Sequence, residues 1–491
     1  MRGIYKVIFS DLFFLYFFLP ICLICYFAFK DIRYRNLVLI VFSLLFYAWG
    51  EPVWMALLLV STAVNYFLGR AITKNVVLAE EKEETPGAEI HKARAALVFA
   101  ILFNIGLLGS FKYTGFFIEN FNHLTGLSVA VPAFARLLPL GISFYTFKAL
   151  SYVIDCYWQR VSAEKKFGKF LLFMTLFPQV SQGPIVRYRT IGEELSTRNA
   201  SAEEISYGIN RIITGLAKKV IIADNIAGVV SNLFGGSGIT GLSVLGTWYG
   251  ALMFALQVYF DFSGYSDIAI GLGRIFGFHF EENFNYPFVC KSITEFWQRW
   301  HISLSTWFRD YILYIPIFGR RIAVLNLFIV WFCTGFWHGA SWNYILWGLY
   351  FGLFIFIEQR IGKKRLNKIP KVIMHIYTKI VLIVGFGIFY FENTATLLDF
   401  FKNLIGLNGN RLTDFTFNTI FINNIFLLAA AVLFSIPFIG KLQKLAENRL
   451  GEKSGVLLAG GVRIVINIIL LLICSILLVN STNHPFLYVQ W

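Results

Sequence analysis

The sequence predicts an all-α polytopic membrane protein. Of its 491 residues, 57% are hydrophobic, 18% are aromatic and only 14% are charged, which gives more apolar surface than a soluble domain can bury. Long apolar runs recur from one end of the chain to the other, and no polar stretch between them is large enough to form a soluble domain. We therefore expect a single membrane domain over residues 1–491.

The apolar runs are long enough to span a bilayer, because a helix needs roughly 20 apolar residues to cross about 30 Å of hydrocarbon. On this basis the sequence predicts about eleven crossings. The predicted spans are 12–29, 36–50, 53–70, 95–112, 137–157, 244–262, 322–338, 340–358, 372–391, 418–438 and 461–480. Four shorter or more polar stretches are interpreted as re-entrant or interfacial helices. These stretches are 168–186, 203–225, 264–278 and 288–315.

The formal net charge of +15 is concentrated in short basic segments between the apolar runs. These segments are Lys30–Arg35, Arg70–Arg94, Arg160–Lys169, Arg320–Arg321, Lys363–Lys371 and Lys441–Lys453. Because Lys and Arg collect on the cytoplasmic side of membrane proteins, we expect all of them to face the cytoplasm. Basic loops against anionic lipid account for the charge, so it gives no reason to predict a nucleic-acid partner.

Two histidines are candidates for chemistry, because ionisable groups are costly at membrane depth and commonly mark a site there. His301 belongs to Glu295–Asp310, whose aromatic and basic residues recur at the spacing of one amphipathic helix. His338 belongs to Thr334–Asn343, a break bounded by glycines between two apolar runs. Each could simply make a structural hydrogen bond, but a pair of this kind favours general-base chemistry near neutral pH. No metal site is predicted, because the nearby carboxylates of Glu295 and Asp310 lack a recognisable ligand spacing.

Two further polar segments are candidates for a substrate passage. Asp261, Ser263, Tyr265 and Asp267 form a polar cluster beside an apolar run, and hydrogen bonding between helices explains them as well as a passage does. Pro178, Gly183 and Pro184 are expected to break a helix and to turn Gln179 and Gln182 toward a cavity.

The chain resembles the membrane-bound O-acyltransferase (MBOAT) family, and within it the bacterial AlgI-like branch of alginate O-acetylation proteins, which is related to the D-alanylation protein DltB. The resemblance covers nearly the whole chain and is densest over residues 138–348. It is carried by Phe9–Leu15, Phe46–Gly50, Leu138–Phe147, Tyr152–Asp155, Phe177–Arg187, Asp261–Gly271, Asn283–Phe288, Phe296–Trp307 and Gly335–Asn343.

This resemblance implies a ring of tilted helices around a central tunnel, with His338 as the catalytic histidine and His301 as a second one. It also makes further residues candidates for the tunnel wall. These are Gln182, Asp261, Ser263, Tyr265, Asp267, Trp337 and Asn343. No permanently bound cofactor or metal is implied, and the donor substrate is expected to be acetyl-CoA or another acyl thioester.

The implied function is O-acetylation of an extracellular or cell-wall polysaccharide by a multi-pass protein of the bacterial inner (cytoplasmic) membrane. The membrane protein is expected to pass its acyl group to an extracytoplasmic SGNH-type or AlgX/AlgJ-like acetyltransferase, because the chain itself contains no such soluble domain. The C-terminal helices over 372–480 favour the AlgI-like type over the shorter DltB type. A DltB-like D-alanyl transferase for teichoic acid and a non-enzymatic transporter or scaffold remain alternatives.

Overall fold

The computed structural model of the chain describes residues 9–81, 87–235, 239–315, 320–438, 440–442, 445, 452–480 and 486–487. Parts of the basic segments Arg70–Arg94 and Lys441–Lys453 lie outside these residues. Within the described residues the regular elements are helices, and none of these residues forms a strand. The predicted all-α class is therefore confirmed.

The chain divides into two compact units. The first comprises Met1–Ile212 and Ile268–Glu281, and the second comprises Ile213–Asp267 and Glu282–Trp491. Two long helices, Ala202–Ala217 and Val244–Ile275, contribute residues to both.

The first unit begins with a π-helical turn, Phe14–Phe18, that continues into the helix Leu19–Phe27. Its other helices are Ile32–Gly50, Pro52–Glu81, Gly87–Lys112, Thr114–Thr125, Ala133–Arg136, Ile142–Tyr157, Phe167–Thr175, Phe177–Gln179 and Tyr188–Ile191.

In the second unit a π-helical segment, Lys218–Ala223, joins Ala202–Ala217 to Asp224–Phe234. The remaining helices are Ile239–Gly241, Pro287–Val289, Ile293–Arg299, Ile302–Phe308, Arg309–Leu313, Ala323–His338, Trp342–Ile361, Lys363–Leu366, Lys371–Tyr390, Thr394–Leu404, Phe415–Asn423, Ile425–Phe434 and Glu452–Asn480.

Six helices of the described chain are long and apolar enough to cross a membrane. They are Ile32–Gly50, Pro52–Glu81, Gly87–Lys112, Trp342–Ile361, Lys371–Tyr390 and Gly460–Val479. The pair Phe415–Asn423 and Ile425–Phe434, bent by 58°, counts as a seventh if it is one broken span. Each of the eleven predicted spans falls on helical residues, but 418–438 falls on this bent pair and several others fall on shorter or more polar helices, so the total of about eleven crossings stays a prediction.

Local sequence explains where one of these helices begins and how two of them are held together. Asp31 starts the helix Ile32–Gly50, because its carboxylate accepts hydrogen bonds from the backbone N–H groups of Arg33 and Tyr34. In the first unit Asn65 and Asn104 exchange amide hydrogen bonds of 3.1 and 2.7 Å between Pro52–Glu81 and Gly87–Lys112. Each amide thus has a hydrogen-bond partner on the other helix, which the hydrocarbon of a lipid could not provide.

The prediction that 264–278 forms a separate re-entrant or interfacial helix is wrong, because most of it belongs to Val244–Ile275, which is one continuous helix. Its acidic residues are neutralised from the side: Lys219 pairs with Asp261 and Lys218 with Asp267. Gly264 also does not break the helix. A Cβ there would lie 2.7 Å from the carbonyl oxygen of Gly215, so this glycine allows two helices to approach closely.

The prediction of one amphipathic helix over Glu295–Asp310 is also wrong. The segment forms two short helices, Ile293–Arg299 and Ile302–Phe308, that are separated at His301. The cause is a distant segment of the chain, since the backbone oxygen of Asn283 accepts from the N–H of Ile302 at 3.0 Å. That bond replaces one that a continuous helix would have made.

Candidate active site

His338 is the last residue of the helix Ala323–His338, and the next helix begins at Trp342. Between them Gly339 is extended, with φ −170° and ψ 157°. The sequence predicts a break over Thr334–Asn343, and the structure narrows it to residues 339–341, because Gly335 lies inside the helix that ends at His338. It places a histidine at a helix end among buried residues.

Aromatic rings surround the imidazole of His338. Its ring centroid lies 4.8 Å from that of Trp337, 4.9 Å from that of Trp347 and 5.2 Å from that of Phe389. The interplanar angles with Trp347 and Phe389 are both 83°, so these rings meet edge to face. This packing fixes the position of the imidazole and excludes most water from it.

His301 precedes the helix Ile302–Phe308 and has a left-handed backbone, with φ 42° and ψ 54°. A non-glycine residue in this region stores strain of order 1–3 kcal/mol, which the surroundings must offset. The side chain is almost completely buried, and its ring lies 4.7 Å from that of Phe262 at an angle of 88°.

The indole of Trp337 brings the two histidines into one site. Its ring is 4.8 Å from the ring of His338 and 5.9 Å from the ring of His301. Three of the predicted site residues are thus in one cluster, although His301 and His338 are 37 residues apart in the sequence, as their numbers show.

Asn283 holds His301 in place, and the sequence did not single it out as a site residue. Its side-chain oxygen lies 3.1 Å from Nδ1 of His301 and accepts hydrogen bonds from the backbone N–H and the hydroxyl of Ser303, at 3.2 and 2.9 Å. Its amide nitrogen donates to the hydroxyl of Ser266 at 3.1 Å. The signal in the sequence was its place in the motif Asn283–Phe288, which gave no indication of a partner.

A cavity of about 270 Å³ lies beside this cluster. It is lined by Ala227, Val230, Ser231, Phe254, Gln257, Tyr344, Phe389, Tyr390, Glu392 and Leu487. Phe389 also packs against His338, so a single aromatic ring connects the cavity wall with the histidine. Its volume is slightly below the range of about 300–1,000 Å³ that is typical of small-molecule sites.

The cavity wall combines aromatic rings with hydrogen-bonding groups. The hydroxyl of Tyr344 donates to the carboxylate of Glu392 at 2.8 Å. The side-chain oxygen of Gln257 is buried and has no hydrogen-bond partner among the described residues, so it is available to accept from a ligand. The lining therefore offers hydrogen-bonding groups from Gln257, Tyr344 and Glu392.

Asn343 lies next to the cluster and ties two helices together. Its amide nitrogen donates to the backbone oxygens of Ile388 and Phe389, at 3.3 and 3.1 Å. These bonds join the beginning of Trp342–Ile361 to the end of Lys371–Tyr390 and so help to position Phe389 beside His338.

The predicted polar cluster on the helix Val244–Ile275 makes ion pairs. Asp261 lies 2.8 Å from the ammonium of Lys219, which is also 2.7 Å from Asp224. Asp267 lies 2.7 Å from the ammonium of Lys218. Both lysines belong to the π-helical segment, a distortion that is frequent at functional sites.

The neighbours of these aspartates differ in their surroundings. Phe262, next to Asp261, packs on His301, while the hydroxyl of Ser263 is buried without a hydrogen-bond partner in the described part of the chain. The ring of Tyr265 lies 5.1 Å from that of Phe486. The helix therefore contacts the histidine cluster on one face and the C-terminal segment on another.

The described C-terminal residues are part of the second unit's core. The backbone N–H of Leu487 donates to the second carboxylate oxygen of Asp261 at 2.9 Å. Phe486 is completely buried, and the ammonium of Lys219 lies 4.9 Å from its ring centroid. Because Leu487 also lines the cavity, this segment helps to shape it.

Gln182 belongs to the first unit. It follows the turn Phe177–Gln179 in a non-helical stretch, as the glycine and prolines there predict. Its side chain is buried, and its amide nitrogen has no hydrogen-bond partner among the described residues. A role for Gln182 in a tunnel wall stays a prediction.

Among the residues that the structure describes, no group of three or more His, Cys, Asp or Glu side chains is arranged to hold a metal ion.

A helical membrane protein that buries two histidines beside a polar and aromatic cavity is a candidate for acyl or proton transfer chemistry. Comparison with known families identifies which: the chain belongs to the membrane-bound O-acyltransferase (MBOAT) family, whose sequence model matches residues 164–398. Both histidines, Trp337 and Asn283 lie inside the matched region. The protein is therefore a multi-pass membrane O-acyltransferase.

Three relatives illustrate the similarity. The chain is 33% identical over 519 aligned residues to a probable alginate O-acetylase AlgI of Azotobacter vinelandii, covering 99% of this chain and 100% of the relative. It is 35% identical to the protein of the same name from Pseudomonas aeruginosa, covering 83% of this chain and 76% of the relative. It is 32% identical to a peptidoglycan O-acetyltransferase of Helicobacter pylori, covering 83% and 81%.

Proposed function

We propose that this protein transfers an acetyl group from a cytoplasmic thioester, acetyl-CoA, to a hydroxyl that arrives from the other side of the bacterial cytoplasmic membrane. The transfer serves the O-acetylation of an extracellular or cell-wall polysaccharide. The observation that carries the proposal is the burial of His301 and His338 against one indole, beside a cavity with hydrogen-bonding walls. The names of the relatives, which concern alginate and peptidoglycan O-acetylation, support the acetyl group and the polysaccharide.

The basic segments support the direction of transfer. If they face the cytoplasm, the helix ends that line the cavity face the opposite way. Tyr344 is at the end of Trp342–Ile361 that is distant from Lys363, and Tyr390 is at the end of its helix that is distant from Lys371. In this proposal the accepting hydroxyl enters through the cavity from the extracytoplasmic side, and the acyl donor enters from the cytoplasmic side, which the basic segments face.

His338 is the general base in this proposal. The oxygen of the accepting hydroxyl forms a bond to the carbonyl carbon of the thioester, and the carbon–sulfur bond breaks. The hydroxyl proton passes to the imidazole of His338 and from there to the leaving thiolate, so an ester and a thiol are the products. Positioned proton transfer of this kind contributes about 10²–10⁴-fold to a rate.

An extracytoplasmic SGNH-type or AlgX/AlgJ-like acetyltransferase is the proposed partner that delivers the acetyl group to the polysaccharide. The cavity of about 270 Å³ suits one small polar group, such as a serine side chain or a single sugar ring, better than a polymer chain. A partner that presents one hydroxyl at a time is consistent with that size.

To test the proposal, a deletion strain is complemented with the wild-type protein, with His338→Ala or with His301→Ala, each at equal membrane abundance. The measured quantity is base-labile acetyl on the cell-surface polysaccharide. We expect acetylation to return with wild type and to fall by about 10²-fold or more with His338→Ala. His123→Ala is the matched control, because His123 is exposed and should leave acetylation unchanged.

Two outcomes would change the assignment. Base-labile D-alanine in place of acetyl would favour a D-alanyl transferase, so both esters are measured in the same hydrolysate. Full acetylation with His338→Ala and His301→Ala combined would remove the histidines from the chemistry and favour a transporter or scaffold.

A further inference from the structure

The amide of Asn283 is oriented by bonds that do not depend on histidine. A backbone N–H is always a donor, so the side-chain atom of Asn283 that lies 3.2 Å from the N–H of Ser303 is the oxygen. The amide nitrogen at the other end donates to the hydroxyl of Ser266 at 3.1 Å. The hydroxyl of Ser266 can donate or accept, so it is compatible with the orientation that the backbone N–H of Ser303 fixes.

This orientation fixes the protonation pattern of His301. An amide oxygen only accepts hydrogen bonds, so Nδ1 of His301, 3.1 Å away, carries the hydrogen. A neutral imidazole has one N–H, and its lone pair is then on Nε2. Burial lowers the pKa of His301, in its place between two short helices, to about 3, so the ring is neutral at physiological pH.

The same asparagine also holds the backbone of His301. Its backbone oxygen accepts from the N–H of Ile302 at 3.0 Å, and the N–H of Asn285 donates to the oxygen of Arg299 at 2.9 Å. The segment that contains Asn283 is thus bonded on both sides of His301 and keeps it in the left-handed conformation. Phe262 and Trp337 then limit the rotation of the ring.

We infer that Asn283 is the positioning residue of His301 and holds it in the tautomer whose Nε2 accepts a hydrogen bond from the reacting hydroxyl. The inference rests on the proposed acyl transfer. It gives the two histidines different roles: His301 aligns the hydroxyl as an acceptor, and His338 removes and returns the proton. His301 in this tautomer has no hydrogen on Nε2, so it does not protonate the leaving thiolate.

The experiment uses membranes that contain the full-length chain, with acetyl-CoA as donor and release of the CoA thiol as readout. Rates are measured over a range of acetyl-CoA concentrations and from about pH 5 to about pH 9. Asn283→Ala removes the acceptor, and we expect kcat to fall about ten-fold or more with KM for acetyl-CoA nearly unchanged. Asn285→Ala is the matched control, because this neighbouring side chain is exposed.

Asn283→Asp separates positioning from folding. Its carboxylate still accepts from Nδ1–H and Ser303, so activity is retained at high pH. The negative charge stabilises the imidazolium and raises the pKa of His301, so activity is lost as pH falls through that raised pKa. The expected signature is therefore a loss of activity that begins at higher pH in Asn283→Asp than in the wild type, in which Nδ1 of His301 contacts a neutral amide.

The outcomes are decisive for the inference. Asn283→Ala with wild-type kcat overturns it, and so does Asn283→Asp with a wild-type pH profile. If Asn283→Ala does not accumulate in membranes, the pH profile of Asn283→Asp decides alone. A wild-type chain that releases no thiol, or a His338→Ala chain that releases it normally, refutes the proposed function instead.

Discussion

The ammonium of Lys219 is buried against the carboxylate of Asp261, with 2.8 Å between Nζ and Oδ1. Asp224 contacts the same ammonium at 2.7 Å, so one lysine pairs with two carboxylates. The other carboxylate oxygen of Asp261 accepts a hydrogen bond from the backbone N–H of Leu487. This ion cluster connects the π-helical segment, the helix Val244–Ile275 and the C-terminal segment, and several consequences of the structure depend on it.

We expect Lys219→Met to lower the free energy of unfolding by about 3–5 kcal/mol, because it leaves the buried carboxylate of Asp261 and the partly buried carboxylate of Asp224 uncompensated. Asp261→Asn should cost less, since Lys219 keeps Asp224. Thermal unfolding of the purified protein in detergent, followed by tryptophan fluorescence, measures both. Lys218→Met is the matched control: its pair with Asp267 is more exposed, so the effect should be smaller. An unchanged unfolding temperature for Lys219→Met would contradict the cluster.

Phe486→Ala tests whether the C-terminal segment shapes the cavity. The ring of Phe486 is completely buried against Tyr265, and the next residue lines the cavity. Loss of this anchor should release Leu487 and lower surface acetylation about ten-fold, because the misplaced wall no longer orients the accepting group. Acetylation is compared at equal membrane abundance with Leu407→Ala, a change at an exposed leucine. Equal acetylation by the two variants would show that the segment does not shape the site.

The break at His338 could be predicted from sequence because its cause is local. Two apolar runs are separated by a short stretch with Gly335 and Gly339, and the helix ends at His338 within that stretch. The break at His301 could not be predicted in this way. There the helix is interrupted by hydrogen bonds to Asn283, which lies 18 residues earlier in the sequence. The aromatic and basic residues keep their helical spacing across the break, so their pattern does not reveal it.

The polar stretch in Val244–Ile275 shows the converse error. Asp261, Gly264 and Asp267 look like an interruption, yet lysines from another helix pair with both acids and a close helix contact explains the glycine. A charged residue inside an apolar run can interrupt a helix or can join it to a second helix through an ion pair. Which of these occurs depends on the residue that pairs with it, and that residue could not be identified from the sequence.

Gly348→Ala tests how the two helices on either side of the break are packed. A Cβ at Gly348 would collide with the backbone oxygen of Trp331, and one at Gly335 with the backbone oxygen of Tyr344. We expect Gly348→Ala to push the helices apart, to lower the unfolding temperature and to reduce acetylation by displacing His338. Overpacking of this kind costs about 1–3 kcal/mol.

The control for Gly348→Ala is Gly109→Ala, since no atom lies within 4 Å of a Cβ built at Gly109. Alanine in that helix should be neutral or stabilising by about 0.5–1 kcal/mol. If the two variants behaved alike, close packing around the break would not be what holds His338.

Glu358→Gln tests the helix that precedes His301. The carboxylate of Glu358 accepts from the N–H groups of Ile293 and Thr294 at 2.7 and 2.9 Å, and so caps the helix Ile293–Arg299 from 64 residues away. A glutamine offers one acceptor and turns its NH₂ group toward the other N–H donor. We expect the free energy of unfolding to fall by about 1–3 kcal/mol and the rate of acetylation to fall, because the displaced helix leads directly into His301.

Glu119→Gln, at an exposed glutamate, should change neither quantity in the same unfolding and acetylation measurements. A Glu358→Gln protein that matches this control would show that His301 is positioned by Asn283 without help from the helix before it.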